Sequence, residues 1–383
     1  MKNFCIVVWN KIKRYKVKIF IIFVIYLLFS ATINFFVNPY NIFPLQKNAA
    51  ISIKPMAKKH LIKSKIISLK LDSRKINTVF IGSQKADFSI DVNEYKNITG
   101  LDAVNLASSG YSIKDYPAVL QSALKIHPEI KNVFVNLDFV TFDKEKNKKI
   151  KKFKTVKNGY LTLSEIYTSL FSLSGVRESV YTLFINAIGK KSGMFDFNGI
   201  KIVCPDENIK NTMENSVIEY TEIYENFQYD KTFVNVVEEL QRICAEQEKD
   251  LYVFIMPSHL MNMQLMKKIG IYNTYFEWKD EISKFAPLFD FEYPCPITNE
   301  AISPNMKYFS GITMPTPIVG RIVLESMTNG KIDFGRIYTY DYAKIFNNSD
   351  RSELGMLTVD EENRNEFLEK SVQQAEDTDD ISQ

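Results

Sequence analysis

The chain has 383 residues, 45% hydrophobic and 24% charged, with a formal net charge of +3. That apolar share suffices for the core of one large domain or two modest ones and excludes wholesale disorder. The near balance of charge gives no support for nucleic-acid binding.

The first eighteen residues carry Lys2, Lys11, Lys13, Arg14, Lys16 and Lys18, and the next nineteen, Ile19 to Val37, carry no charge at all. At about 1.5 Å per residue such a helix crosses the hydrocarbon of a bilayer. The run exceeds the usual apolar length of a signal peptide and lacks a small-x-small cleavage site, so it is expected to stay as a transmembrane anchor. The next charge is Lys47. The positive-inside rule therefore puts the N-terminus in the cytoplasm and the rest of the chain outside or in the periplasm, at the cell or inner membrane.

Residues 38–75 read as a membrane-proximal arm: Pro39 and Pro44 stop the helix, and a basic stretch of mixed polarity follows from Ile51 to Lys70. Residues 76–345 read as the main domain. Thr78–Ile81, Asp102–Leu106, Asn132–Leu137 and Leu251–Met256 are short β-rich apolar runs, while Ser112–Lys125 and Val234–Glu248 have helical spacing. Strands alternating with helices predict an α/β fold, a parallel sheet covered on both faces. The pattern weakens near 153–229, which reads as an insertion or cap. From Asp360 onward nine acidic residues face two basic ones, and 346–383 is expected to be a solvated tail.

Four cysteines (Cys5, Cys204, Cys244, Cys295) are too few and too unevenly spaced for a disulfide framework, although one bridge among the last three is allowed. His60 and His127 show no metal-ligand spacing, so neither a metal site nor a cofactor is expected. In a doubly wound sheet the ligand crevice lies beyond the carboxyl ends of the strands. The residues there are Gly82, Ser83 and Gln84, then Ser108 to Gly110 after Asn105, then Asp138, then Ser258 and His259.

The stretches NPYNIF (38–43), TVFIGSQKADFSID (78–91), AVNLASSGYSIKDY (103–116), VFVNLDFVTFD (133–143), VFIMPSHL (253–260), YFEWKDEI (275–282) and PIVGRIVLE (317–325) resemble, in order, the SGNH or GDSL-type hydrolases. The closer resemblance is to their bacterial membrane-anchored envelope branch. It implies a three-layer, flavodoxin-like parallel sheet and places Asn105 and Gly110 near an oxyanion hole. It also implies a serine nucleophile where Gln84 stands, and an Asp-x-x-His pair where Gly311-Ile312-Thr313-Met314 stands. Gln84 cannot accept an acyl group, Gly311 and Met314 can neither orient nor act as a base, and no histidine follows His259.

The expected function is thus a pseudoenzyme whose crevice (Gly82, Gln84, Asn105, Gly110) binds without hydrolysing. By analogy with active relatives, its partner would be a cell-envelope saccharide polymer or a membrane acyltransferase. Two alternatives stay open. One is an O-acyl esterase or transferase built on Ser83, His259 and Asp138; the other is a structural subunit of a membrane complex with its crevice closed. In the bland reading Ser83 serves its own turn, His259 caps the helix from Leu260, and Trp278 is core.

Overall fold

The computed structural model describes residues 2–43, 49–55, 61–109, 112–149, 163–189, 209–328 and 334–338. They fall into two compact units, one drawn from Met1–Ser68 and Gly159–Ile202, the other from Leu69–Asn158 and Val203–Gln383. The expected acidic tail, Gly110, His60 and Cys204 lie outside the described residues, as does part of the expected insertion.

In the first unit one helix runs Lys2–Val37. Its segment Tyr15–Val37 is long and apolar enough to cross a membrane, and few of its side chains are covered by protein. The helix stops at Asn38, which takes a left-handed backbone (φ 49°) ahead of Pro39, a conformation asparagine tolerates better than most residues. The Asn38 side chain then closes the turn that follows: Oδ1 accepts from the amides of Ile42 and Phe43 at 3.0 and 3.2 Å, and Nδ2 donates to the Phe43 carbonyl at 2.8 Å. Lys54 Nζ donates to the Val37 carbonyl at 2.7 Å, putting a cation at the negative end of the helix dipole. Burial pulls that amine down to about 8. Two further helices, Leu163–Phe171 and Leu173–Ile188, pack on the same long helix.

The second unit is built on a six-stranded sheet: β1 (Thr78–Ile81), β2 (Ala103–Asn105), β3 (Asn132–Leu137), β4 (Asp250–Ile255), β5 (Leu288–Asp290) and β6 (Arg336–Tyr338). The order is β2-β1-β3-β4-β5-β6. The first five strands are parallel and β6 is antiparallel to β5. The parallel part has the 2-1-3-4-5 order of flavodoxin-like sheets, as expected. Neither β5 nor β6 stands out in the sequence, because a three-residue strand leaves no period to read.

Helices Tyr116–Ile126 and Asn235–Glu246 pack on each other and on β1 and β4, respectively. Other helices, Gln84–Ser89, Val92–Thr99 and Pro317–Thr328, belong to a second core built from Phe80, Phe134 and Phe254 with Val319, Val323 and Leu324. Within it Phe80, Phe134 and Tyr252 stack across adjacent strands, with ring centroids 5.0 and 4.6 Å apart. Such cross-strand aromatic pairs add to burial itself. Cys244 and Cys295 are free and buried rather than bridged, and burial pushes the Cys244 thiol up to about 12, which makes it inert.

Gly320 sets how closely the last helix approaches the end of the helix Gln84–Ser89, since a Cβ there would lie 1.8 Å from the Ser89 carbonyl oxygen. Gly320→Ala is expected to cost about 1–3 kcal/mol through overpacking. Thermal unfolding of the full chain in detergent, followed by near-ultraviolet circular dichroism, should show a lower midpoint.

Candidate functional site

The loops leaving β1, β3, β4 and β5 bring their side chains into one buried cluster. It starts at Gly82. A Cβ there would lie 2.6 Å from Asn136 Cβ, so only glycine lets the exit of β1 pass over the end of β3. Ser83 caps the next helix: its Oγ accepts from the Lys85 amide at 3.2 Å and donates to Asn136 Oδ1 at 3.0 Å. Gln84 points to the exposed side of that helix. Asn105 ties the helix to the exit of β2, with Nδ2 donating to the Ala86 and Ile90 carbonyls at 2.9 and 3.0 Å and Oδ1 accepting from the Ala107 amide at 3.0 Å.

His259 is completely buried and caps the helix Leu260–Ile269. Its Nδ1 lies 3.3 Å from the Met261 amide and its Nε2 2.7 Å from the Glu300 carbonyl. An amide donor on one nitrogen and a carbonyl acceptor on the other assign a neutral ring protonated at Nε2. Both nitrogens are thereby committed to backbone. The His259 amide donates to the Ile312 carbonyl at 2.8 Å. The segment Gly311–Met314, where the resemblance implies the acid and base, therefore borders this cluster without supplying either group.

The residue that joins the loops is Lys85, which sequence reasoning did not single out. Its Nζ donates to Ser258 Oγ at 2.8 Å and stands 3.5 Å from both Asp138 Oδ1 and Glu292 Oε1. All four side chains are buried. Glu292 is held in turn: Tyr275 donates to Oε2 at 2.7 Å, and Asn262, which accepts from the Tyr224 hydroxyl at 2.8 Å, approaches Oε1 at 3.5 Å. Beside it a second buried pair joins Lys279 to both oxygens of Asp290 at 2.9 and 3.0 Å, and Lys279 also donates to the Glu292 carbonyl at 3.1 Å.

A lysine touching a serine is also the outline of a Ser–Lys dyad, in which the amine must be neutral to act as a base. Here burial alone would lower the Lys85 amine, but Asp138 and Glu292 together outweigh it and hold the group above the ordinary lysine value. Lys85 is thereby held in its ammonium form, and Ser258 Oγ accepts a hydrogen bond from it. Trp278 is fully buried against Phe139 and Phe142, and Glu277 pairs with Lys231 at the surface. His127 bridges Glu129 and the Leu69 carbonyl at 2.8 and 3.0 Å.

The rule that crevice residues follow strands reaches Asp138 from the sequence, and it would reach Glu292 if β5 were readable. Glu292 was missed with β5. Lys85 was missed because it lies inside the first turn of a helix rather than in the loop.

No family model matches the chain, and no curated protein matches it. Among solved structures, a protein of Streptococcus pneumonia provisionally described as a platelet activating factor superposes with a TM-score of 0.34 at 10% identity, covering 73% of this chain and 94% of that one. A superposition this loose assigns neither family nor chemistry.

Lys85→Met should destabilise the second unit by about 3–5 kcal/mol, since it strands two buried carboxylates. The triple variant Lys85→Met/Asp138→Asn/Glu292→Gln should recover much of that loss in denaturant titrations. The pH dependence has a definite sign. The folded-state value of Lys85 is raised above 10.5, so its contribution is fully present below the unfolded value and is lost as pH rises through the folded one. Alkaline titration of the parent should therefore show a stability loss that Lys85→Met lacks.

Proposed function

We propose that this chain is a membrane-anchored, SGNH-hydrolase-like protein of the cell envelope that has given up hydrolysis and acts by binding. Its N-terminus is cytoplasmic and its α/β unit lies on the outer side. The observation that supports this most is the Lys85 ammonium locked between Asp138 and Glu292. It occupies the strand ends where a nucleophile and its base would have to meet, and the neutral His259 ring beside it has both nitrogens engaged with backbone. The missing serine at Gln84 and the missing acid and base at Gly311 and Met314 point the same way.

Because Ser83, Lys85, Asp138, Ser258 and His259 are all buried, the reading favours a protein partner, a membrane acyltransferase, over a saccharide polymer laid along the strand ends. A structural subunit of a membrane complex is the limiting form of the same reading. The alternative, an O-acyl esterase or transferase, now has Ser258 beside Ser83 as a candidate nucleophile, favoured by its 2.8 Å contact with Lys85 Nζ.

Treating the full chain in detergent with a fluorophosphonate serine probe, alongside an acetyl-ester hydrolysis assay, separates the readings. Neither labelling nor turnover is expected. Labelling that disappears in Ser258→Ala or Ser83→Ala would instead establish an esterase and identify its nucleophile.

A further inference from the structure

We infer that the helices Leu163–Phe171 and Leu173–Ile188 form a second membrane-embedded element, a hairpin sunk into one leaflet beside the anchor, with bilayer hydrocarbon covering its outer face. This rests on the reading of Tyr15–Val37 as an anchor.

The polarity of the hairpin is inverted relative to a helix pair in water. Its buried positions are Ser169, Gly175, Glu178, Ser179, Thr182 and Ile185, all but the last small or polar. Its outer positions include Leu163 (86% exposed), Leu173 (75%), Val180 and Phe184, with Thr168 and Ser174 also exposed there but bonded locally to the Ser164 carbonyl and the Ser172 hydroxyl. A water-soluble amphipathic helix buries its apolar stripe; small and polar residues inside with apolar residues outside is the arrangement of helices packed within lipid.

The buried polar groups are used against the anchor. Ser30 Oγ and Asn34 Nδ2 both donate to the Leu170 carbonyl at 2.8 Å, and Ser179 Oγ donates to Asn34 Oδ1 at 2.7 Å. Gly175 makes the approach possible, since a Cβ there would lie 2.6 Å from Asn34 Nδ2. The Leu170 carbonyl, in the last turn of the first helix, thus finds donors without water, as hydrocarbon demands.

These contacts fall on Ser30 and Asn34, inside the apolar span, where the anchor leaves Phe29 and Phe36 uncovered. Whatever bathes the anchor at that level also bathes the hairpin packed on it. The two helices have 9 and 16 residues, about 14 and 24 Å long, so neither crosses a core of about 30 Å. Of the charged side chains, Glu165 lies half-buried in the first turn of the first helix, and Arg177 stands on the outer row paired with Glu178 at 2.8 Å on a stem long enough to reach toward head groups.

The test uses the full chain reconstituted in phosphatidylcholine vesicles with brominated acyl chains, carrying Leu173→Trp, Val180→Trp, Phe29→Trp or Lys131→Trp. The parent, with its own two tryptophans, is subtracted as background. Leu173→Trp and Val180→Trp should lose fluorescence to the brominated lipid as Phe29→Trp does and resist acrylamide, whereas Lys131→Trp should behave the opposite way. If Phe29→Trp is quenched by lipid while Leu173→Trp and Val180→Trp answer to acrylamide, the hairpin inference fails and the anchor stands. Quenching of all three by acrylamide overturns the anchor and the hairpin together. Protection of the two hairpin positions from both quenchers means that a second copy covers them, which also overturns the inference.

Discussion

The second unit is organised around one buried ammonium, that of Lys85. A charge removed from water must find counter-charges and hydrogen-bond partners or be lost by titration. The partners here come from three different strand ends: Asp138 after β3, Ser258 after β4 and Glu292 after β5. Glu292 passes the requirement on to Tyr275 and Asn262, and its backbone carbonyl to Lys279. An arrangement of this kind adds little net stability over an apolar filling, but removal of one member leaves the others without compensation. It therefore fixes the relative positions of four loops more firmly than it stabilises them.

The same loops in a hydrolase of this topology would have to leave a nucleophile exposed, a neutral base within reach and amide donors aimed at a developing oxyanion. Instead the polar groups are turned inward on one another. Ser83 serves the helix cap and Asn136, His259 serves Met261 and Glu300, and Asn105 serves the carbonyls of Ala86 and Ile90. Ser83 and His259 each make a helix-cap hydrogen bond, to the Lys85 and Met261 amides.

The first unit obeys a different solvent logic. Its long helix is capped at the Val37 carbonyl by Lys54, and the turn after it is closed by the Asn38 side chain. The paired helices add polar contacts inward and apolar surface outward. The segment Tyr15–Val37 of the long helix is long and apolar enough to cross a membrane.

What was legible in the sequence was whatever local periodicity and charge encode. The apolar run before Asn38, the strands Thr78–Ile81 and Asn132–Leu137, the helix from Asn235 and the α/β alternation all carry their period within a single segment. The absence of a serine at position 84 and of a histidine after His259 is likewise a plain property of the chain. Tertiary structure alone decided the rest. Strands β5 and β6 are too short for a period, and they exist because the sheet edge supplies their hydrogen bonds. Lys85, Asp138, Ser258 and Glu292 are separated by up to about two hundred positions along the chain, and their meeting depends on parallel strands ending side by side. The inverted polarity of Leu163–Ile188 became readable only once Asn34 and Ser30 identified which face was inside, because a helix's pattern gives the period of its faces but not the solvent each one meets.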